Sequence, residues 1–92
     1  MDKRLGFVGI MIESRERAAA AVQALLAEHA GMIQARMGLP QAGGVCSVIT
    51  LIVIATTDEL GRLTGRLGAL PGVTVRSALA KQAPTSASTP KP

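Results

Sequence analysis

The segment 45–55 constrains the fold of this chain more than any other part of the sequence. Its eleven residues include no charged side chain, and β-branched and other aliphatic residues dominate both alternating sets. Such residues favour a pleated strand, and a strand that is apolar on both faces must be covered on both. One cover can be the chain's own helices. Because the chain has only 92 residues, we expect the second cover to come from another subunit.

The composition describes one small domain with an aliphatic core. A chain of 92 residues forms a single domain and buries only about 60–65% of the surface that its unfolded form exposes, so association would stabilise it. Hydrophobic residues make up 48% of the chain, yet Phe7 is the only aromatic residue. The core is therefore expected to consist of Ile, Val, Leu, Ala and Met.

The cysteine usage and the length of the apolar segments indicate where the protein is found. Cys46 is the only cysteine, so it forms no internal disulfide, and it fits a reducing cytoplasm. Segment 45–55 is far shorter than the ~20 residues that a membrane-spanning helix needs. Lys3 and Arg4 precede an apolar stretch as in a signal peptide, but charged residues within 13–17 stand where small residues should mark the cleavage site. We expect a cytoplasmic protein without a membrane partner.

The net charge of +4 does not indicate a nucleic-acid partner. Lys81 and Lys91, at the end of the chain, supply half of that excess. The other cations are scattered, and no aromatic platform accompanies them. No helix-turn-helix or ribbon-helix-helix segment is present, so direct DNA binding is not expected.

Hydrophobic periodicity divides the chain into six elements. Alternation predicts strands, and an apolar stripe at helical spacing predicts helices, in the order strand 3–12, helix 16–30, strand 32–39, strand 45–55, helix 58–69 and strand 73–79. Ser14 is a candidate N-cap of the first helix, and Thr56 with Glu59 forms a capping-box pattern before the second. Gly31 is expected to end the first helix, and Pro40 to break the second strand.

This βαββαβ order predicts a ferredoxin-like α+β sandwich. Two right-handed βαβ units give a four-stranded antiparallel sheet of order 4-1-3-2 with both helices on one face. Strands 1 and 3 are apolar on both faces and are central in this topology, whereas strands 2 and 4 alternate and are edges. We assign residues 1–81 to this ferredoxin-like domain and residues 82–92, rich in Pro, Ser and Thr, to a disordered tail.

The sheet face without helices is predicted to be an interface. Its apolar centre comes from strands 1 and 3, and a polar rim is expected from Gln34 and Arg36 on one side and from Thr74 and Arg76 on the other. An apolar centre with a polar rim is typical of a protein–protein interface. We expect a homodimer or a homotetramer.

No combination of residues points to catalysis or to a metal. His29 and Cys46 have no further His or Cys to complete a metal site, and Cys46 has no His nearby in sequence to act as a base. The glycines at 61, 65 and 68 fall within a helix, so they are not a phosphate loop, and they predict close packing of that helix. The alternative for Gly68 is that it ends the helix. We expect no catalytic residue, no metal and no cofactor, and hence no enzyme.

Two turns are candidates for binding a small ligand. One follows the first strand and the other closes the second, and their candidate residues are Glu13, Ser14, Arg15, Arg36, Gly38 and Pro40. In this fold, turns of this kind at a subunit boundary are common ligand sites. The alternative is that each arginine is merely solvated beside its turn.

Three segments carry a family resemblance over about residues 3–80. They are Arg4-Leu5-Gly6 leading into a strand that ends Ile12-Glu13-Ser14-Arg15, Arg36-Met37-Gly38-Leu39-Pro40, and the glycine-rich segment 60–75. Together they resemble the iron-only hydrogenase system regulators. That family is similar to ACT domains and to the C-terminal domain of the nickel-responsive repressor, which associate through their sheets and sense small molecules or metals.

The resemblance implies a regulatory protein linked to hydrogenase. The histidine and cysteine cluster of the nickel domain is absent, so nickel sensing does not carry over. The Pro-Gly turn that follows strand 1 in ACT domains is replaced by Ile12-Glu13-Ser14-Arg15, which weakens the case for amino-acid binding. We expect a non-enzymatic, oligomeric regulatory module that senses a small ligand at a subunit boundary. The alternative is a structural or adaptor protein that docks on a partner through its sheet face.

Overall fold

A computed structural model describes residues 2–13, 15–42 and 46–81 of the chain. It contains four strands and two helices, joined in one place by a short 3-10 turn: β1 (Arg4–Ile12), α1 (Arg15–Glu28), the 3-10 turn (Ala30–Met32), β2 (Ile33–Ala42), β3 (Cys46–Ala55), α2 (Thr57–Gly68) and β4 (Val73–Leu79). The predicted N-cap Ser14 and the predicted tail 82–92 lie outside the described residues.

The strands form one antiparallel sheet of order β2-β3-β1-β4. This is the predicted order, and it confirms the ferredoxin-like α+β fold. β1 and β3 are central and pair without a register shift from Arg4 opposite Ala55 to Ile12 opposite Ser47. Ile10 is opposite Ile49 on one side and Val75 on the other.

The core lies between one face of the sheet and the two helices. Side chains of β1 and β3 point alternately to this face and away from it. Those that point to it are buried along the whole of β3, as its apolar run predicts, and from Val8 to Ile12 in β1. The helices cover these side chains with the apolar stripes that their periodicity predicts, and the fully buried large residues are Val8, Ile10, Val22, Leu26, Leu51, Val53, Leu63 and Leu67. The core is therefore entirely aliphatic.

The predicted capping box begins α2. The Thr56 hydroxyl accepts a hydrogen bond from the Glu59 backbone N–H at 3.0 Å, and the Glu59 carboxylate accepts one from the Thr56 backbone N–H at 2.8 Å. Lys3 Nζ lies 3.2 Å from the same carboxylate. The backbone hydrogen bond from Thr56, followed by that from Lys3, lowers the pKa of Glu59.

Two predicted element ends are wrong. α1 ends at Glu28 instead of residue 30, and the chain tightens into the 3-10 turn, where the His29 backbone N–H reaches the carbonyls of both Leu25 and Leu26. β2 does not stop before Pro40 but runs to Ala42. An edge strand tolerates proline, because the missing N–H can face away from the sheet.

The glycines of α2 do not pack closely against a neighbour, contrary to the prediction, but α2 ends at Gly68, as the alternative for that residue predicts. A Cβ atom built on Gly61, Gly65 or Gly68 would meet nothing within 4 Å beyond the helix itself. These glycines therefore leave open space on the helix surface.

The open surface beside Gly65 leads to a stability prediction. Gly65→Ala is expected to raise the free energy of unfolding by about 0.5–1 kcal/mol, because alanine reduces the backbone entropy lost on folding and meets no obstacle here. Urea denaturation measures this change. A loss of stability would contradict the open surface next to Gly65.

Among the described residues, no helix is both long enough and apolar enough to span a membrane.

Candidate functional site

The sheet face opposite the helices, which we call the open face, carries the exposed apolar surface of the described chain. Side chains alternate along a strand, so the register assigns to this face the residues that lie between the buried ones. Every large hydrophobic residue that is strongly exposed among the described residues belongs to it, with exposures from 42% to 76%: Leu5, Phe7, Met11, Met37, Leu39 and Ile52.

Charge is nearly absent from the open face. The register places Thr74 and Arg76 of β4 there, opposite Met11 and Gly9 of β1, as predicted. Among the described strand residues, Arg76 is the one charged side chain on this face. It lies on an edge strand, so the centre of the open face is uncharged. The polar residue there is Thr50 of β3, which is exposed and opposite Gly9 and Met37.

The prediction for the β2 side of the rim is wrong at Arg36. A register shift follows Ile33, which is opposite Val53, so that Ala35 is opposite Ile52 and Arg36 is opposite the buried Leu51. Gln34 is the extra residue. After it, each side chain of β2 points to the opposite face of the sheet from the one that simple alternation predicts. Met37 and Leu39 therefore join the open face, and Arg36 turns to the helix side.

Arg36 lies at a pocket between α1 and β2, which we call the α1–β2 pocket. Its volume is about 240 Å³, and its walls come from α1, from β2 and from the adjoining ends of β1 and β3: Ile12, Ala19, Gln23, Arg36, Gly38, Leu39, Pro40, Ser47, Val48 and Ile49. Arg36 Nη2 donates to Gln23 Oε1 at 2.9 Å, which joins the strand to the helix.

Of the two predicted ligand-binding turns, only the second has its candidate residues gathered at this pocket. Arg36, Gly38 and Pro40 all line the α1–β2 pocket. Glu13 does not line it, although its neighbour Ile12 does, and the Glu13 backbone N–H donates to the Gly72 carbonyl at 2.8 Å. Ser14 and the side chain of Arg15 lie outside the described part of the chain.

Sequence reasoning missed two polar residues of the pocket, Gln23 and Ser47. Each is a single polar side chain within an apolar stretch: Gln23 follows four alanines and a valine, and Ser47 interrupts the start of β3. A single polar residue within an apolar stretch is the sequence pattern by which these two pocket residues could have been predicted. Ser47 is buried, on the helix side of the sheet.

Glu28 and His29, at the end of α1, do not line the α1–β2 pocket. Arg66 Nη1 lies 2.8 Å from Glu28 Oε1, and the hydrogen bond and charge of Arg66 lower the pKa of Glu28. The buried Nε2 of His29 has no hydrogen-bond partner among the described residues. Within that same part of the chain, no three His, Cys, Asp or Glu side chains are grouped so that they could hold a metal ion.

His29 and Cys46 lie far apart. β2 begins four residues after His29 and pairs there with Val53, near the end of β3. Cys46 pairs with Ala42 at the start of β3. The two residues therefore lie at opposite ends of the sheet and cannot share a ligand.

Comparison with known proteins identifies the family. The TM1266-like family model, which describes iron-only hydrogenase system regulators, matches residues 4–77. The structure of TM1266, an uncharacterized protein from Thermotoga maritima, is 32% identical and has a TM-score of 0.81, with 87% of this chain and 100% of that chain covered.

A second solved structure shares the fold. The C-terminal domain of the MgtC protein from Mycobacterium tuberculosis has a TM-score of 0.68 at 19% identity, with 92% of this chain and 96% of that chain covered. No curated protein matches the sequence significantly. From the family model and the Thermotoga structure it follows that the chain belongs to the TM1266-like family of iron-only hydrogenase system regulators.

Proposed function

We propose that the protein is a non-enzymatic regulatory module of a hydrogenase system, that it assembles as a homodimer or homotetramer through its open face, and that it senses a small ligand at the α1–β2 pocket. Membership of a regulator family supports the regulatory role. The cytoplasm is the proposed compartment, because a single free cysteine suits a reducing environment.

The concentration of exposed hydrophobic side chains on the open face is the observation that carries the proposal. Single exposed hydrophobic residues are ordinary, but a contiguous patch on a small protein marks an interaction surface. Burying such side chains stabilises an assembly by roughly 25 cal/mol per Å² of apolar surface. The exposure of Phe7, Met37 and Ile52 to water is therefore unfavourable, and assembly would remove it.

The size of the open face suits a second copy of the chain. Four strands about 4.8 Å apart, with nine residues in β1 at about 3.4 Å each, project an area of about 590 Å². Side chains standing off the sheet enlarge this area towards the roughly 800 Å² per partner of a stable interface. Two such sheets pack face to face about 10 Å apart.

The charge distribution also favours self-association. A two-fold axis places the same patch on both partners, so each surface must complement itself. A charged residue at the centre would face the same residue of the partner and repel it. The charged residue of the open face, Arg76, lies instead on the edge strand β4. An uncharged centre has no such conflict.

The α1–β2 pocket adjoins this proposed interface. Leu39 and Val48 belong to the open face by their register, and both also line the pocket. A partner sheet packed on the open face would therefore lie beside the pocket. This shared wall supports a ligand site at a subunit boundary.

The content of the pocket supports a binding role over a catalytic one. Arg36 is its one titratable lining residue among those described. Arginine stays protonated under all ordinary conditions, so it cannot exchange a proton as a general acid or base. Binding needs no such exchange.

Sedimentation velocity at low micromolar concentration tests the assembly. We expect a species of two or four times the 9.4 kDa chain mass. A monomer at this concentration would overturn the proposal and favour the alternative, an adaptor whose open face docks on a different protein.

A further inference from the structure

We infer that the α1–β2 pocket binds a small carboxylate that carries a short aliphatic chain, and that Arg36 is its anion-binding group. This inference rests on the proposed function, in which the pocket is the sensory site. The charge of the pocket, the chemistry of its walls and its volume each support the inference.

Arg36 is oriented but not neutralised. The hydrogen bond to Gln23 fixes one end of the guanidinium, and a guanidinium has five N–H donors in a planar fork. The two salt bridges within the described residues join Lys3 to Glu59 and Arg66 to Glu28. Neither uses Arg36, so its charge is available to a ligand.

No acidic side chain among the described residues lines the pocket. The polar lining side chains are Gln23, Arg36 and Ser47, and only Arg36 is charged. The pocket is therefore positive, which attracts an anion and disfavours an amine or a metal cation. This holds for the described residues that form its walls.

The form of the positive charge favours a carboxylate over a phosphate group. One guanidinium fork matches the two oxygens of a carboxylate in a bidentate pair. Phosphate sites usually add backbone N–H groups of a glycine-rich loop or a helix N-terminus, which supply more donors. Among the lining residues, Arg36 is the one cation, so it suits the smaller and less charged anion.

The other walls indicate the body of the ligand. They are formed mainly by aliphatic residues, among them Ile12, Val48 and Ile49, and by Pro40. Phe7 is the only aromatic residue of the chain and does not line the pocket. A nucleobase would find no stacking partner, whereas an aliphatic chain would find apolar walls.

The volume limits the length of that chain. The pocket holds about 240 Å³, below the roughly 300–1,000 Å³ of sites for drug-sized ligands. An acid with a few carbon atoms fits this space.

A matched set of three probes tests the inference by ¹H–¹⁵N NMR titration. The probes are 3-methylbutanoate, its neutral amide 3-methylbutanamide and the cation 3-methylbutylamine, which share one aliphatic body. We expect 3-methylbutanoate to shift the resonances of Gln23, Arg36 and Gly38, and to bind at least about tenfold more tightly than the amide, because a hydrogen-bonded ion is stronger than a neutral pair.

Two variants with the same charge change show whether Arg36 is responsible. Arg36→Gln should weaken 3-methylbutanoate binding at least about tenfold. Arg62→Gln removes an exposed arginine of α2 outside the pocket and should leave binding unchanged. Equal binding of acid and amide, shifts confined to other regions, or undiminished binding by Arg36→Gln would overturn the inference.

The same samples separate this inference from the proposed function. Sedimentation velocity is run with and without 3-methylbutanoate. An oligomer that binds no carboxylate overturns the inference and leaves the assembly intact. A monomer that binds the acid through Arg36 keeps the inference and overturns the assembly. If Arg36→Gln fails to fold, the comparison of acid with amide on the unmodified protein decides.

Discussion

Ile52→Glu is expected to convert the assembled protein into monomers. Ile52 lies on central strand β3, with Phe7 of β1 and Ala35 of β2 directly opposite on either side. In a sheet-on-sheet interface this position is at the apolar centre, where an unpaired carboxylate loses its water and costs several kcal/mol. The dissociation constant should rise at least about a hundredfold. Sedimentation velocity over a range of concentrations measures it.

The control for this prediction places the same charge on the other side of the molecule. Ala24 is an exposed residue of α1, so Ala24→Glu should leave the oligomer unchanged. Ile52 is partly exposed, and a glutamate there can reach water in the monomer, so the variant should remain folded by circular dichroism. An oligomer that survives Ile52→Glu would show that the open face is not the interface.

The open face is predicted by the sequence, because both central strands are apolar on their two faces. β1 and β3 have apolar residues on both faces, so the sequence predicts that one cover comes from outside the chain. The sequence could not predict that the edge strand β2 adds Met37 and Leu39 to the open face. One extra residue at Gln34 reverses its faces, and alternation alone does not reveal such a bulge.

The same bulge explains why the candidate site was only partly predicted. Without the extra residue Arg36 would join the open face, whereas in the structure it reaches Gln23 of α1 and borders a pocket. Arg36, Gly38 and Pro40 were predicted together because they are close in sequence. Gln23 and Ser47 come from other elements, and only the folded chain brings them to the same place.

The shared wall of pocket and open face gives ligand binding a way to influence assembly. Leu39 and Val48 take part in both surfaces. If a carboxylate changes the affinity between copies by some factor, assembly must change the carboxylate affinity by the same factor. The proposed sensor would need no moving domain, since the packing of these two side chains would link ligand binding to assembly.

Gly6→Ala is expected to destabilise the fold by about 1–3 kcal/mol, as overpacking of a tight site typically does. Gly6 of β1 pairs with Leu79 of β4 and with Val53 of β3, so its backbone is held on both sides. A Cβ atom there would collide with the Ala78 carbonyl oxygen and lie 2.6 Å from Leu79 Cδ2. Because the obstacle includes backbone, β1 and β4 must separate locally. For a domain of this size each kcal/mol corresponds to a fall in Tm of roughly 4–8 °C.

Gly9→Ala, in the same strand, is the matched control for Gly6→Ala. Of these two glycines of β1, only Gly6 lies in close approach to its neighbouring strand. The nearest atom to a Cβ on Gly9 is the Arg76 carbonyl oxygen at 3.8 Å, which is an ordinary contact. Gly9 faces the open side of the sheet, so both variants should be made in the Ile52→Glu background, where assembly does not contribute. Equal stability of the two variants by urea denaturation would contradict the tight approach of β1 and β4 at Gly6.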